Sequence, residues 1–276
     1  MNKYNFNLGG GASRSLKAFT LAEVLITLAI IGVVAALTIP SVITNYKKTE
    51  LESKIKTAYS ILSTALNLAI KDYGPTDTWD ITKVGTATET TEQALKKYFI
   101  PYLKVAKECG KSQEPECVYE FSSLGGGIFV NANTGTTPHY SRIYLTNGTV
   151  IQMVMASNNN KVTQLAMLVD VNGLKKPNQL GVDIQYFVIP TRTVENQPKL
   201  NYQVAIASAG GNSDYISNIT HNTKGCKKSL TKIDSALGTA CTYVLRKNGW
   251  KIPSVDEYVE MAGGDEQYRA LYPWNF

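Results

Sequence analysis

The feature that most constrains this chain is an apolar stretch of 25 residues, Phe19 to Ile43, in which Glu23 is the sole charged side chain. As a helix rising about 1.5 Å per residue it reaches roughly 37 Å, enough to cross a hydrocarbon core of about 30 Å. A core helix of that length in a soluble protein would show a polar face, and this stretch has none. A secretory signal peptide has a shorter apolar region with a small-residue cleavage site after it. A plain anchor would avoid an acid, which costs on the order of 2.5–3.5 kcal/mol at the centre of a span, so Glu23 is a functional residue by default. Gly32 and Ala36 form a small-xxx-small pair that lets helices approach closely. Pro40 has no N–H, so the carbonyl of Ala36 loses its helical partner and the helix kinks or loosens there.

The run Lys17-Ala18-Phe19-Thr20-Leu21-Ala22-Glu23, followed by Gly32, the Ala35-Ala36 pair and Pro40, resembles the N-terminal processing segment of type IV pilins and type II secretion pseudopilins. The match covers about 25 residues without a gap, and several independent features fall in register. The resemblance implies cleavage between Ala18 and Phe19 by a prepilin peptidase on the cytoplasmic side, and methylation of the new Phe19 amine. It places Glu23 at the fifth mature position and Pro40 at the twenty-second. Gly is usual before the cut; Ala18 departs from that and implies slower cleavage. In the assembly the resemblance implies, Glu23 of one subunit pairs with the Phe19 amine of a neighbour, neutralising both charges in lipid. Gly32 and Pro40 let the helices pack and stretch. The implied partners are copies of the chain or related pilins, the peptidase, the inner-membrane assembly machinery and the lipid bilayer.

Charge alone does not orient the span, because Lys3, Arg14 and Lys17 precede it while Lys47, Lys48, Lys54 and Lys56 follow it. Nor does charge indicate a nucleic-acid partner. The net +6 falls to +3 once the leader's three bases are removed, and no Lys/Arg run exceeds two residues.

From Tyr46 the pattern turns amphipathic: Leu51, Ile55, Ala58, Leu62, Ala65, Leu66, Ala69 and Tyr73 recur at steps of three and four. Gly74-Pro75 should end the helix. Its apolar stripe needs a partner, and a β-sheet is the natural one. Thr76–Thr88 reads as a polar loop, and Thr90–Leu103 as a short helix bent at Pro101. Arg142–Thr146 and Thr149–Met155 flank Asn147-Gly148, a strong hairpin signal. Gln164–Val169, Ile184–Ile189 and Tyr202–Ala207 read as further strands, Asn158-Asn159-Asn160 as a turn, and Lys227 to Phe276 as one or two short helices with an aromatic end.

The expected fold is therefore α+β and pilin-like: a long N-terminal helix, half membrane and half amphipathic, packed on an antiparallel sheet, with a cysteine-containing C-terminal region. The expected divisions are a leader at 1–18, a span at 19–43, an amphipathic continuation at 44–74 and a periplasmic or extracellular head at 75–276.

Four cysteines in an exported chain point to two disulfides. Three pairings can be drawn; Cys109–Cys117 with Cys226–Cys241 closes the shortest loops and is preferred. Cys226 and Cys241 bracket an expected short helix, and the resemblance implies that such a pair staples the region near a pilin's C-terminus.

The stretch Asp170 to Asp183 has two readings. Asp170, Asn172 and Asp183, with carbonyls between them, suit a hard cation such as Ca²⁺, although Lys175 and Lys176 work against one. The other reading is an Asx-rich turn joining two strands, with Gly173 and Gly181 at positive φ. Nothing points to an enzyme. His139 and His221 stand in no triad or metal pattern, and no nucleophile elbow, P-loop or dinucleotide fingerprint is present. Two functions follow from the resemblance: a type II secretion pseudopilin, towards which the large head leans, or a type IV pilus subunit serving adhesion or DNA uptake.

Overall fold

The computed structural model describes residues 19–81, 87–109, 117, 120–130, 141–158, 161–190, 225–229 and 238–274. It divides into two compact units, one up to Tyr46 and one from Lys47 onward.

The first unit is the beginning of helix α1, Leu21–Tyr73, which runs through Pro40. No side chain from Phe19 to Ile43 is buried. The second unit is built on the rest of α1. Its buried residues are Leu51, Ile55, Ala58, Leu62, Ala65, Leu66 and Ala69, one stripe at helical spacing. Tyr73, expected on that stripe, is instead 41% exposed and meets Tyr98 edge-on at its margin. The helix stops where glycine permits it: Gly74 takes φ +80° and donates to Ile70 O at 2.9 Å.

The stripe packs on a five-stranded antiparallel sheet in the order β1-β4-β5-β6-β7. Its strands are β1 Val105–Glu108, β4 Arg142–Leu145, β5 Val150–Asn158, β6 Lys161–Asp170 and β7 Ile184–Pro190. Alternation decides the faces. Ile151, Met153, Leu165, Met167, Val169, Phe187 and Ile189 join the α1 core. Ala166, Ile184, Tyr186 and Val188 form a second cluster, covered by Phe121 and Leu180. Phe121 comes from a small hairpin, β2 Glu120–Ser122 with β3 Ile128–Val130. Asn147-Gly148 lies in the four-residue connection, 146–149, between β4 and β5. Gly148 at φ +85° donates to Leu145 O, and Leu145 donates to Thr149 O at 2.9 Å.

Several local expectations are corrected. The stretch expected as a polar loop holds a 3-10 turn at Thr76–Thr78 and the start of α2, Ala87–Tyr98. Trp79 anchors it by stacking on Tyr98 at 4.1 Å and donating to Gly74 O. The following helix breaks at Phe99, before Pro101, because Pro101 starts a separate 3-10 turn at Ile100–Tyr102. β1, β2 and β3 were not expected; at three or four residues each they are too short for the sequence alone to mark them as strands. Among the described residues the C-terminal region holds three short helices, α3 Cys241–Lys247, α4 Val255–Met261 and α5 Gln267–Ala270, where one or two were expected. The strand expected at Tyr202–Ala207 and the helix expected between Cys226 and Cys241 lie outside the described residues, the latter across 230–237.

Long-range polar contacts fix the C-terminal region. Thr242 Oγ1 accepts from Tyr186 N–H and donates to Gln185 Oε1, both at 2.9 Å, so α3 covers the outer edge of β7. Glu52 on α1 accepts from Ile252 N–H at 2.8 Å. Tyr258 donates to Cys226 O and Tyr272 to Pro253 O.

Candidate functional site

The processing segment lies at the start of α1. Ala18 falls outside the described residues. Phe19 and Thr20 precede the helix, and Phe19 is 84% exposed. Thr20 and Glu23 form a capping box: Glu23 Oε2 accepts from Thr20 N–H at 2.8 Å and from its hydroxyl at 2.9 Å, while Thr20 Oγ1 accepts from Glu23 N–H at 3.2 Å. Glu23 thus satisfies helix-end donors within its own chain, next to the point where a cleaved amine would stand. The Thr-x-x-Glu spacing that signals this box is local to Thr20 and Glu23 in the sequence. A Cβ placed on Gly32 would meet nothing within 4 Å, so nothing inside this chain demands glycine there.

The loop from Asp170 to Asp183 brings its three marked residues together. Asp183 Oδ1 accepts from Gln179 N–H at 2.6 Å, and its Oδ2 from Asn178 N–H at 2.9 Å and Asn172 Nδ2 at 3.1 Å. Asp170 Oδ1 accepts from Asn172 N–H at 2.9 Å, an Asx turn. With its amide nitrogen turned inward, Asn178 donates to Lys175 O at 2.8 Å and Gly173 O at 3.2 Å. Burial pushes the Asp183 carboxyl above the usual carboxylate range, against the opposing pull of the Gln179 and Asn178 N–H groups. Gly173 and Gly181 both take positive φ.

Tested as a calcium site, this donor set does not fit. Calcium takes six to eight oxygens. Here the Asp183 carboxylate faces three N–H donors, and Asn172 turns its NH₂ rather than its oxygen toward it. Asn172 Oδ1 is the one buried side-chain oxygen of the loop without a hydrogen-bond partner. Among the described residues no group of three or more His, Cys, Asp or Glu is placed to hold a metal. The loop instead clasps itself and receives the C-terminal region. A Cβ on Gly181 would lie 2.7 Å from both Cys241 Sγ and Gly238 O, and Trp274 Nε1 donates to Gly181 O at 2.9 Å.

Both cysteine pairs are disulfides: Cys109 with Cys117, and Cys226 with Cys241. Buried Arg142 holds the first. Its guanidinium donates to Cys117 O at 2.5 Å and to Gln152 Oε1 at 2.8 Å, while its carbonyl accepts from Cys109 N–H at 2.8 Å. No sequence pattern marked this arginine, because its partners lie 25 and 10 residues away. His139 and His221 lie outside the described residues.

Comparison with known proteins adds two family matches. The model of a family of unknown function (DUF6613) matches residues 41–258, and that of the prokaryotic N-terminal methylation motif matches residues 14–39. No curated protein and no solved structure matches the chain. Helix α1 is long and apolar enough to cross a membrane. The methylation motif is the prepilin-type cleavage and methylation segment, so the chain carries the N-terminus of a pilin-like subunit.

Proposed function

Because the chain belongs to DUF6613, a family of unknown function, and carries a prepilin-type segment ahead of that region, we propose that it is a pseudopilin of a type II secretion system. The observation that carries the pilin-like reading is the methylation motif at 14–39, whose residues from Leu21 onward lie in α1. The secretion reading draws its support from the size of the head and from its late Asx-rich loop.

The course we propose begins with insertion in the inner membrane by residues 19–43, the head on the periplasmic side. Two disulfides support that placement, since such bonds persist in oxidising compartments. A prepilin peptidase then cuts between Ala18 and Phe19 and methylates the Phe19 amine. Glu23 next exchanges its contacts with Thr20 for the amine of a neighbouring subunit. Gly32, open on its own chain, allows a neighbouring helix to approach, and Pro40 leaves a point where α1 can stretch. The work is structural, and pilin-like proteins are in general not enzymes.

Intact-mass and N-terminal analysis of the membrane-extracted protein tests this. A chain that begins at Phe19 with one extra methyl group supports it; an uncut chain, or one cut beyond Ile43, overturns it. Deleting the gene then separates the two machines. Loss of secreted proteins with unchanged surface filaments is expected; loss of filaments with normal secretion would assign the chain to a pilus.

A further inference from the structure

Leu174 is the most exposed large apolar side chain described in the unit from Lys47 onward, at 58% against 41% for Leu68 and Tyr73. It does not sit on a loose loop. The Asp183 clasp holds the loop's base, and a Cβ on neighbouring Gly173 would lie 2.7 Å from Gly148 O, so the tip is braced against the β4–β5 turn. The two residues that follow, Lys175 and Lys176, are exposed. A rigid loop that keeps a leucine in water beside two lysines has the chemistry of a membrane-interface anchor, with an apolar tip and flanking amines.

Its place in the unit fits that chemistry. Lys54 pairs with Glu50 at 2.7 Å and holds its carboxyl below the usual carboxylate range, with a weaker Coulombic contribution from Lys175. Glu50 is seven residues from Ile43, where the apolar run ends. Even a fully extended chain of seven residues spans only about 25 Å, so this end of the unit is tethered near the bilayer surface whatever the linking conformation. Lys47 and Lys48 stand at the same end, and the Glu257 carboxyl is held below its usual range by its Ser254 hydrogen bonds, with weaker Coulombic contributions from Lys48 and Lys251. Glu52, the other acid of this turn, is held by Ile252 N–H. The balance at this end is basic, which suits an anionic surface.

We propose that the Leu174-Lys175-Lys176 tip docks on anionic phospholipid headgroups, Leu174 entering the interfacial layer and the two lysines pairing with lipid phosphates. The docking holds the head against the membrane before assembly, and extraction into a filament must break it. It rests on the membrane reading of residues 19–43 and is independent of whether the leader is cut.

The test uses the full chain carrying Leu174→Trp, reconstituted in vesicles of phosphatidylglycerol or of phosphatidylcholine that contain lipids brominated near the headgroup. The parent chain, with its own tryptophans, is subtracted. Bromolipid quenching of the added emission in phosphatidylglycerol, falling in phosphatidylcholine and in high salt, is the expected result. Adding Lys175→Ser and Lys176→Ser should lower the docked-to-undocked ratio roughly 30-fold, since each juxtamembrane lysine contributes about a fivefold preference for an anionic surface. Emission quenched by aqueous iodide alike in both lipids overturns the proposal. So does emission that shifts blue only as protein density in the vesicle rises, which would assign the tip to a neighbouring subunit. If the chain fails to insert at all, as read by carbonate extraction, the membrane reading itself is what falls.

Discussion

Within one helix, residues 21–43 and residues 51–69 meet opposite fates. The first stretch buries no side chain, and the second buries seven in one stripe against the sheet. Both are rich in leucine, isoleucine and alanine. What separates them is period: the second confines its apolar residues to one face, whereas the first spreads them all round. A helix apolar on every side needs lipid or other helices, and one with a single stripe needs a single surface. Stability of the head should therefore depend on the second stretch alone.

Substitution offers the sharpest way to break this contrast. Leu66→Ala removes a fully buried side chain and should cost the head about 3 kcal/mol, seen as a lower melting temperature by near-ultraviolet circular dichroism in detergent. Leu28→Ala, 60% exposed, should leave that temperature unchanged. Equal losses from the two would mean that the stretches are not energetically separate.

Asp183→Ala should come next, at about 2 kcal/mol, because it strands the N–H groups of Asn178 and Gln179. Calcium or a chelator should leave the melting temperature of the unaltered chain where it is. A calcium-dependent rise would show that the loop binds the ion despite its self-clasped geometry.

The two capping boxes give a smaller, paired comparison. Ser254 and Glu257 cap α4 in the head as Thr20 and Glu23 cap α1. Ser254→Ala should lower head stability by about 1 kcal/mol, and Thr20→Ala should not. Its effect should instead appear in helicity at the N-terminus.

The gentlest effect is read against pH. Burial, with smaller contributions from Glu257 and Glu52, pushes the Tyr272 hydroxyl up to about 12, and burial raises Tyr258 as well. An unfolded tyrosine titrates near 10. Their stabilisation is therefore fully present below about pH 10 and is lost as pH rises through the folded values. Melting temperatures should begin to fall near pH 10, and Tyr272→Phe should flatten part of that fall. An unchanged slope in that variant would remove Tyr272 from the account.

Much of this molecule is written locally. The span, the stripe from Leu51 to Ala69, the stop at Gly74 and the strands around Asn147-Gly148 all follow from periodicity or turn chemistry within a few residues. The Thr20–Glu23 box is equally local. Short strands such as β1 are different, since three or four residues are too few for the sequence alone to mark, and they exist because a neighbour supplies hydrogen bonds.

By itself, then, the sequence determined which stretch is apolar all round, which face of the continuing helix seeks a core, and that residues 14–39 carry a prepilin-type methylation motif. Tertiary structure alone decided how the C-terminal region is held. Glu52 reaches Ile252 across 200 residues, Thr242 reaches Tyr186 across 56, and Gly181 admits Cys241 only because it has no Cβ. The physical reason is range: a helix or turn is favoured by bonds among near neighbours, whereas these contacts form only after the sheet has brought distant segments together.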